Sequence, residues 1–367
     1  RELGGPVDGF NQSMVVVSPA GLVWGHLVSA VQALVTHHDM LRAQLNVADG
    51  TWGLDVLPAG DVDTTGWIRR VDATGMDAHA LASTVEAEGT AARARLDPKA
   101  GVMLQATWLD AGTEAPGRLL LVIHHLVVDG VSWRILLPDL QEALQALSSG
   151  REIRLQPVLT SFRRWASGLQ EAARARAGEA EWWLTALQHR TEPQTGSRHL
   201  DPHRDTLANA RHLRMTLPTE ITERLLTAVP AAFHAGVDDV LLAGLAAAVT
   251  EWRTRRQTAP AATPGPILLD IESHGREESL IPGADISRTV GWFTSAYPVA
   301  LDTGPVDWPA LLAGGATGAG LIKRVKEQLR AVPDHGVGFG LLRHLNPDTA
   351  TPLAALPRPQ IGFNYLG

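Results

Sequence analysis

Two adjacent histidines, His124 and His125, interrupt an apolar stretch that reads LLLVIHHLVVDGVSWRIL over residues 119–136. Asp129 follows His125 by four residues and precedes a glycine. Histidine exchanges protons near neutral pH, so a ring held beside a substrate can act as a general acid or base. A second pair, His37 and His38, has an aspartate directly behind it. Residue types alone predict proton-transfer chemistry and leave open which pair performs it.

Another group of polar residues ends a strand-like stretch in the second half, LLDIESHGREES over residues 268–279. On a strand, Leu268, Asp270 and Glu272 would share one face, with Glu272 at the strand end, where functional groups of layered α/β folds collect. Glutamates at such positions are more often solvated or ion-paired than catalytic. Because the unperturbed pKa of glutamate is about 4.3, one that exchanges protons near neutral pH is expected to be buried.

Composition restricts the chemistry further. The chain has 367 residues and no cysteine, which excludes disulfides, thiol nucleophiles and cysteine-ligated zinc. A metal site made of His124, His125, Asp129 and Glu272 is disfavoured, because neighbours on a strand point to opposite faces. We predict no metal site.

Charge and hydropathy argue against a nucleic-acid-binding, membrane-spanning or secreted protein. A net charge of −7 argues against a nucleic-acid partner, for which a basic surface is expected. No apolar run has the length of a membrane span, and the start of the chain lacks the features of a secretory signal. We therefore predict a cytoplasmic protein with no membrane contact.

The two histidine pairs are predicted to lie on different elements. Leucines and valines recur at helical spacing over residues 21–45, which places His37 and His38 on one long helix. Residues 118–126 are rich in leucine and β-branched residues and precede an Asp-Gly turn signal, so they are predicted to form a strand. Ser132 is then predicted to cap a helix over residues 133–147, closed by Ser-Ser-Gly.

Strand geometry separates His124 from His125. Successive side chains on a strand face opposite sides, so one ring is a candidate reagent and the other a structural partner. Each buried ring also needs its own hydrogen-bond partner. Asp129 is either a turn former or one half of an ion pair with a buried arginine.

The second half of the sequence also alternates predicted helices with predicted strands. Alternating helices and strands in two halves predict a two-lobed, layered α/β protein. The predicted elements are helices over 161–177 and 179–188, a linker or loop over 191–209, a helix capped by Asp238 that ends at Trp252, a loop over 258–266 and a strand over 267–272.

The stretch HHLVVDG resembles the HHxxxDG motif of the condensation-domain superfamily of nonribosomal peptide synthetases. Further stretches look like the ordered motifs of its epimerization branch, and they cover nearly the whole chain. These stretches are FNQS (residues 10–13), HHDMLR (37–42), HHLVVDGVSWRILLPDL (124–140), IESHGREE (271–278), RTVGWFTSAYPVAL (288–301), GVGFGLLRHL (336–345) and FNYLG (363–367).

The resemblance implies a fold and a reaction. The fold would be two chloramphenicol-acetyltransferase-like lobes, residues 1–177 and 178–367, that form a V with a central tunnel. The reaction would be inversion of the α-carbon of an aminoacyl or peptidyl thioester through an enolate. Removal and return of the proton on opposite faces need two flanking groups.

The resemblance also implies roles for individual residues. His125 and Glu272 match the catalytic histidine and glutamate, and His124 is the supporting ring. The pair His37 and His38 belongs to a packing helix. Asp129 and Arg276 match an ion pair. Asn364 and Tyr365 match residues that line the reaction chamber, and Tyr365 is a candidate catalytic donor of a hydrogen bond to the enolate oxygen. Trp292 and Phe293 are candidates to line the tunnel or to be core aromatics.

The same resemblance implies partners and leaves alternatives. The domain would be a monomeric part of a multidomain synthetase and would have no cofactor of its own. It would act on the 4′-phosphopantetheine arm of an upstream carrier domain, with a D-specific condensation domain downstream. A peptide-bond-forming condensation domain, a free-standing acyltransferase of the same fold and an inactive docking module are the alternatives. Neither the condensation domain nor the acyltransferase needs a glutamate opposite the histidine.

Some features depart from the branch. Ser273 stands where a glycine is usual, which affects the geometry of the loop after Glu272. The motif PIQxWF is absent before Phe10, and nothing follows FNYLG. We therefore expect an incomplete copy of the domain with a second lobe short of strands.

Overall fold

The computed structural model describes residues 7–48, 50–187, 201, 203–256 and 265–367. The predicted linker at 191–209 and loop at 258–266 fall mostly outside these ranges. The strands are β1 (Asn11–Ser18), β2 (Ala43–Ala48), β3 (Thr51–Val56), β4 (Ile68–Asp72), β5 (Leu104–Asp110), β6 (Gly117–His124), β7 (Ile267–Ser273), β8 (Ser295–Leu301) and β9 (Ile361–Phe363). The helices are α1 (Trp24–His37), α2 (Ala78–Ala94), α3 (Gly130–Ser148), α4 (Phe162–Ala175), α5 (Ala180–Leu187), α6 (Thr219–Leu226), α7 (Ala228–Phe233), α8 (Val237–Arg256), α9 (Trp308–Ala313), α10 (Ala316–Arg330), α11 (Val337–His344) and α12 (Pro347–Ala354).

The chain forms two compact units. The first unit comprises Arg1–Gly168 and Glu278–Thr294, and the second comprises Leu169–Glu277 and Ser295–Gly367. This division differs from the predicted one at 177/178 in two respects. The boundary lies inside α4, and residues 278–294, which hold the whole of the RTVGWFT motif, belong to the first unit.

The first unit is built on a mixed sheet in the order β1-β6-β5-β4. Strand β6 pairs antiparallel with β1 and β5, while β4 and β5 run parallel. Because β6 is covered on both faces, it is almost continuously apolar. Leu119, Leu121 and Ile123 face a core that includes α1 and α3, and Leu120 and Val122 face a smaller cluster beneath α2.

The predicted long helix over 21–45 is wrong in its last part. Helix α1 ends at His37, a short 3₁₀ turn follows, and Leu45 lies in β2, which pairs with β3. Arg42 ends the helix by donating hydrogen bonds to the carbonyls of Val35 and Thr36 at 2.7 and 2.6 Å. These carbonyls lie in the last turn, where no helical N–H is left to bind them.

Helix α3 begins earlier than predicted, and its cap is a different residue. The helix starts at Gly130, and Asp129 is the N-cap, because its Oδ1 accepts the Ser132 N–H at 2.8 Å. Ser132 completes the capping box from the third helical position. The predicted closure is confirmed, since Ser149 is the C-cap and Gly150 has a φ of 66°.

Hydrogen bonds to sequence-distant residues explain why residues 278–294 belong to the first unit. Thr289 donates its hydroxyl to the Thr160 carbonyl at 2.6 Å, and the Gly291 N–H donates to the Ser132 hydroxyl at 3.2 Å. At Gly291 a Cβ would overlap the ring of Phe162, so only glycine permits this close approach.

The second unit is built on a sheet in the order β8-β7-β9. The predicted strand over 267–272 is confirmed as β7, which is antiparallel to β8 and parallel to β9. Helix α8 begins at Val237, so Asp238 lies in its first turn. Gly336 has a φ of 82°, and a Cβ there would overlap the ring of Tyr297, whose burial raises its pKa to about 12.

Within the described ranges, no single helix has the length and apolar composition for a membrane span. Residues 219–233 and 237–256 form a pair of helical segments bent by 98°. Only together do they have the length and apolar composition of a span.

Candidate active site

His125 lies just beyond the end of β6. The strand ends at His124, earlier than predicted, and His125 begins a 3₁₀ turn that extends to Val127. The His125 N–H donates to the carbonyl of Phe10 at 2.8 Å, which ties the turn to the start of β1. The two rings are therefore separated by the change of backbone direction at the strand end, rather than by strand alternation.

His124 is fixed on both ring nitrogens. Its Nδ1 accepts the Leu126 N–H at 3.2 Å, so its Nε2 carries the proton that it donates to the Val7 carbonyl at 2.8 Å. Burial lowers the pKa of this fully buried ring, although the bond to Val7 acts in the opposite direction. His124 is thus a neutral group that ties the strand end to the segment before β1.

Two aromatic rings pack against His125. Phe10 stacks on it with a centroid distance of 4.7 Å and an angle of 11°, and Trp292 lies 4.5 Å away at 40°. Phe10 and Trp292 also contact each other at 5.6 Å, so the three rings form one cluster. Trp292 is 37% exposed, whereas Phe293 is 6% exposed and packs among core aromatics. Their tunnel-lining role stays a prediction.

A side-chain amide binds the edge of the His125 ring. Gln12 Nε2 lies 3.1 Å from His125 Nε2, and Gln12 Oε1 accepts the Trp133 indole N–H at 2.8 Å. Sequence reasoning singled out neither Gln12 nor Trp133 as a site residue. The available signal was the FNQS stretch, which pairing across β1 and β6 brings beside the end of β6, with Gln12 opposite Ile123.

Asp129 joins two segments of the first unit. Its Oδ1 caps α3, and its Oδ2 accepts the Phe293 N–H at 3.1 Å. The carboxylate therefore holds the segment that carries Trp292 against the start of the helix. The predicted ion pair with Arg276, which lies in the second unit, stays a prediction.

Glu272 lies near the end of β7, and its side chain is exposed rather than buried as expected. The Asn364 amide donates to its Oε1 at 2.7 Å. Ile271 pairs with Phe363 in the parallel strands β7 and β9. Glu272 and Asn364 are the next residues along the chain, so they lie side by side. Asp270, two residues earlier, has a pKa raised by burial and by the charge of Glu272.

The remaining predicted residues of the second unit lie after these strands. Tyr365 follows Asn364 and is 39% exposed. The Arg276 N–H donates to the Nδ1 of His274 at 3.0 Å, which shapes the loop after β7. A catalytic role for Tyr365 stays a prediction.

The other histidine pair forms a separate network. His38, 1% exposed, binds Asp139 Oδ2 through its Nε2 at 2.8 Å, and the guanidinium of Arg288 binds the other carboxylate oxygen. His37 donates its Nε2–H to the carbonyl of Gln156 at 2.8 Å. The ligand atoms of His37, His38 and Asp139 lie within 4.8 Å of one another, but Asp139 is already the anion of an ion pair.

Burial and partners set the charges of this network. Burial lowers the pKa of His38 and outweighs the opposite effect of Asp139. For Asp139, burial alone would raise the pKa, but the hydrogen bond from His38 and the charge of Arg288 together lower it. The network therefore consists of a neutral ring, a carboxylate and a guanidinium.

A cavity of about 950 Å³ lies elsewhere in the first unit. It is enclosed by the end of β1, the loop at residues 18–23 and the second half of α3. The lining residues do not include His125, Gln12 or Trp292. The cavity is therefore separate from the histidine site.

Comparison with known proteins places the chain in a family. Residues 4–367 match the condensation domain family. The chain belongs to this family. As a condensation-family domain it is 37% identical, over 98% of its length, to a linear gramicidin synthase of Brevibacillus parabrevis, of which it spans 6%. It is 30% identical to tyrocidine synthase 1 of the same organism and spans 31% of that protein.

Solved structures agree with this assignment. The epimerization domain from the third module of a tyrocidine synthetase is 30% identical, with a TM-score of 0.82 over 98% of this chain and 77% of that chain. The first condensation domain of the calcium-dependent antibiotic synthetase is 20% identical, with a TM-score of 0.68 over 97% and 74%, and shows the shared fold. The predicted resemblance and the mixed α/β fold of this condensation-family domain are confirmed.

Proposed function

We propose that the domain epimerizes the α-carbon of an L-aminoacyl or peptidyl group held as a thioester on the phosphopantetheine arm of a carrier domain, giving a D/L mixture. The observation that carries the proposal is an accessible carboxylate, which is the type of group that a second proton transfer needs. Glu272 presents a carboxylate at an exposed strand end, with Asn364 bound to one of its oxygens. A condensation reaction has no need of such a group, whereas inversion requires one.

The chemistry needs two groups and an enolate. One group removes the α-proton, the electron pair of the broken C–H bond moves into the thioester carbonyl as an enolate, and the other group delivers a proton to the opposite face. We assign these exchanges to His125 and Glu272. Each well-placed acid or base contributes roughly two to four orders of magnitude, and donors to the enolate oxygen, Tyr365 among them, supply more.

The surroundings of His125 support its part of the proposal. Phe10, Trp292 and Gln12 bind the ring, and its backbone N–H is bound to Phe10, so its orientation is fixed before substrate arrives. A fixed reagent loses little freedom in the transition state. The epimerization domain similar to this chain also supports the proposal.

The proposed partners follow from the relatives. The linear gramicidin synthase and tyrocidine synthase 1 are much longer than this chain, which spans 6% and 31% of them. We propose that a carrier domain lies upstream of the domain and a D-specific condensation domain downstream. The domain itself would then need no cofactor beyond the arm that the carrier delivers.

The test follows the α-proton directly. A carrier protein loaded with an L-aminoacyl group is incubated with the domain in deuterated water, and α-deuterium uptake and the D/L ratio are measured. Glu272→Gln should lower both by roughly two orders of magnitude or more. Glu220→Gln, the same change at an exposed position of α6 in the same unit, should leave both unchanged. Normal exchange in Glu272→Gln, or peptide bond formation without exchange in the unaltered domain, would refute the proposal.

A further inference from the structure

Three side chains form a directional hydrogen-bond chain that ends on His125. The buried indole of Trp133 binds Gln12 Oε1 at 2.8 Å, and Gln12 Nε2 lies 3.1 Å from His125 Nε2. Trp133 belongs to α3, Gln12 to β1 and His125 to the turn after β6, so the chain connects three elements of one unit.

The donor and acceptor roles in this chain follow from chemistry. The indole nitrogen of Trp133 can only donate, so the group of Gln12 that faces it must be the oxygen. The amide of a glutamine can otherwise be turned either way, and Trp133 removes this freedom. Gln12 therefore turns its NH₂ group, which can only donate, toward His125. The Nε2 of His125 must then accept, and in the neutral ring the proton resides on Nδ1.

We propose that Gln12 is a positioning residue that holds His125 as the Nδ1–H tautomer, with an unprotonated Nε2. This inference rests on the proposed function, in which His125 transfers the α-proton. The neutral ring then has its one lone pair on Nε2, where it accepts the Gln12 N–H. When Nε2 takes a proton, two N–H groups oppose each other across 3.1 Å, because Trp133 prevents Gln12 from turning. Nε2 can therefore take the α-proton only after the substrate has displaced the Gln12 NH₂ group from its lone pair.

The other neighbours of the ring do not supply this control. Phe10 and Trp292 are apolar and cover ring surfaces rather than binding a ring nitrogen. A titratable neighbour in the same unit is His124, whose two ring nitrogens are bound to backbone groups, and the charge of Asp8 acts on His124. Whether Nε2 donates or accepts a hydrogen bond thus depends on Gln12.

The tautomer can be measured without any substrate. Nitrogen-15 NMR of the histidine-labelled protein distinguishes a protonated from an unprotonated ring nitrogen, and loss of signals in His125→Ala identifies those of His125. At neutral pH, Nδ1 should carry the proton and Nε2 should not. A protonated Nε2 in the neutral ring would overturn the proposal, even if the epimerase assay succeeds.

Two variants should change which ring nitrogen of His125 carries the proton. In Gln12→Glu the carboxylate accepts from both Trp133 and His125, so the His125 proton should move to Nε2. In Trp133→Phe the indole N–H is lost and Gln12 can turn, so both tautomers should appear. Gln141→Glu, the same change at an exposed position of α3, should leave the His125 spectrum unaltered. An unchanged His125 spectrum in Gln12→Glu would also overturn the proposal.

The catalytic consequence is a separate readout. With the carrier-bound substrate, Gln12→Glu should lower α-deuterium uptake about tenfold or more, because the ring no longer offers its lone pair. Gln141→Glu should exchange at the unaltered rate. Unaltered exchange in a Gln12→Glu protein whose NMR spectrum shows the shifted proton would overturn the catalytic part. If Glu272→Gln retains full exchange instead, the proposed function fails while the tautomer result stands.

Discussion

The two histidine pairs of the first unit are alike in composition and differ in their surroundings. In each pair one ring is almost fully buried, His38 or His124, and burial lowers the pKa of both. The other rings are held differently. His37 donates its Nε2 proton to a backbone carbonyl, whereas the Nε2 of His125 meets the NH₂ group of Gln12 inside an aromatic cluster.

Under the proposed function, this difference separates the reagent His125 from the packing residue His37. A carbonyl accepts a proton and leaves the histidine as a donor, while an amide NH₂ leaves the facing nitrogen as an acceptor. Neighbouring groups, rather than the dipeptide itself, select the chemistry. The comparison predicts that substitutions of the two pairs affect different properties.

The largest effect is expected at His125. His125→Ala removes a proton-transfer group and should lower α-deuterium uptake by about two to four orders of magnitude. His37→Ala removes one bond to a carbonyl at the surface and should leave the rate close to that of the unaltered domain. Measurement of α-deuterium uptake for both variants checks this, and equal losses would abolish the distinction between the pairs.

The next effect concerns stability at the other pair. Asp139→Ala leaves the guanidinium of Arg288 and the buried ring of His38 without their anion, so the free energy of unfolding should fall by roughly 3 kcal/mol. Glu152→Ala breaks an exposed ion pair with Arg154 in the same unit and should cost about 0–1 kcal/mol. Denaturant unfolding measures both. Similar values would show that the Asp139 network is only a surface contact.

A smaller effect is expected where residues 278–294 pack against the rest of the first unit. In Gly291→Ala the new Cβ overlaps the ring of Phe162, which should destabilise the protein by about 1–3 kcal/mol and displace Trp292 from His125. Gly25→Ala, in the first turn of α1 with open space around it, should stabilise the protein by up to about 1 kcal/mol. Thermal unfolding distinguishes these opposite signs, and a neutral Gly291→Ala would contradict the close approach.

The smallest effect is a dependence on pH that both pairs share. Burial keeps His38 and His124 neutral in the folded protein, whereas the same rings in the unfolded chain bind protons below about pH 6.5. The unfolded state then holds more protons, so stability is complete above that pH and falls as the pH drops through it.

Thermal unfolding midpoints between about pH 7.5 and pH 5.5 measure this dependence. His124→Gln should reduce the slope, and His79→Gln, at an exposed position of α2, should leave it unchanged. A midpoint that does not fall toward pH 5.5 would show that neither ring is held neutral by burial.

Sequence reasoning located the elements that depend on local pattern. Strand β7 and the closure of α3 at Gly150 follow from apolar runs and turn residues, which act over a few positions. The end of α1 was wrong because leucines continue at helical spacing into β2. Arg42 folds back to bind Val35 and Thr36, and spacing carries no information about this contact.

The contacts of the site that were missed connect residues far apart in the chain. Trp133 and Gln12 are separated by 121 positions, and Phe293 and Asp129 by 164. Motifs make His125 and Glu272 candidates, but the orientation of an amide depends on the partner that tertiary folding brings to it. The compact units group residues 278–294 with the first part of the chain, unlike the predicted lobes, for the same reason.

Asp129 shows how such contacts restrict the choice of residue. One carboxylate oxygen accepts the Ser132 N–H, and the other accepts the Phe293 N–H. Asparagine caps helices as well as aspartate does, but it has one oxygen, so its NH₂ group would face one of these two donors. The need for two acceptors therefore selects aspartate over its closest isostere, even before any ion pair is considered. An Asp129→Asn exchange, which conserves shape and size, is not a conservative substitution here.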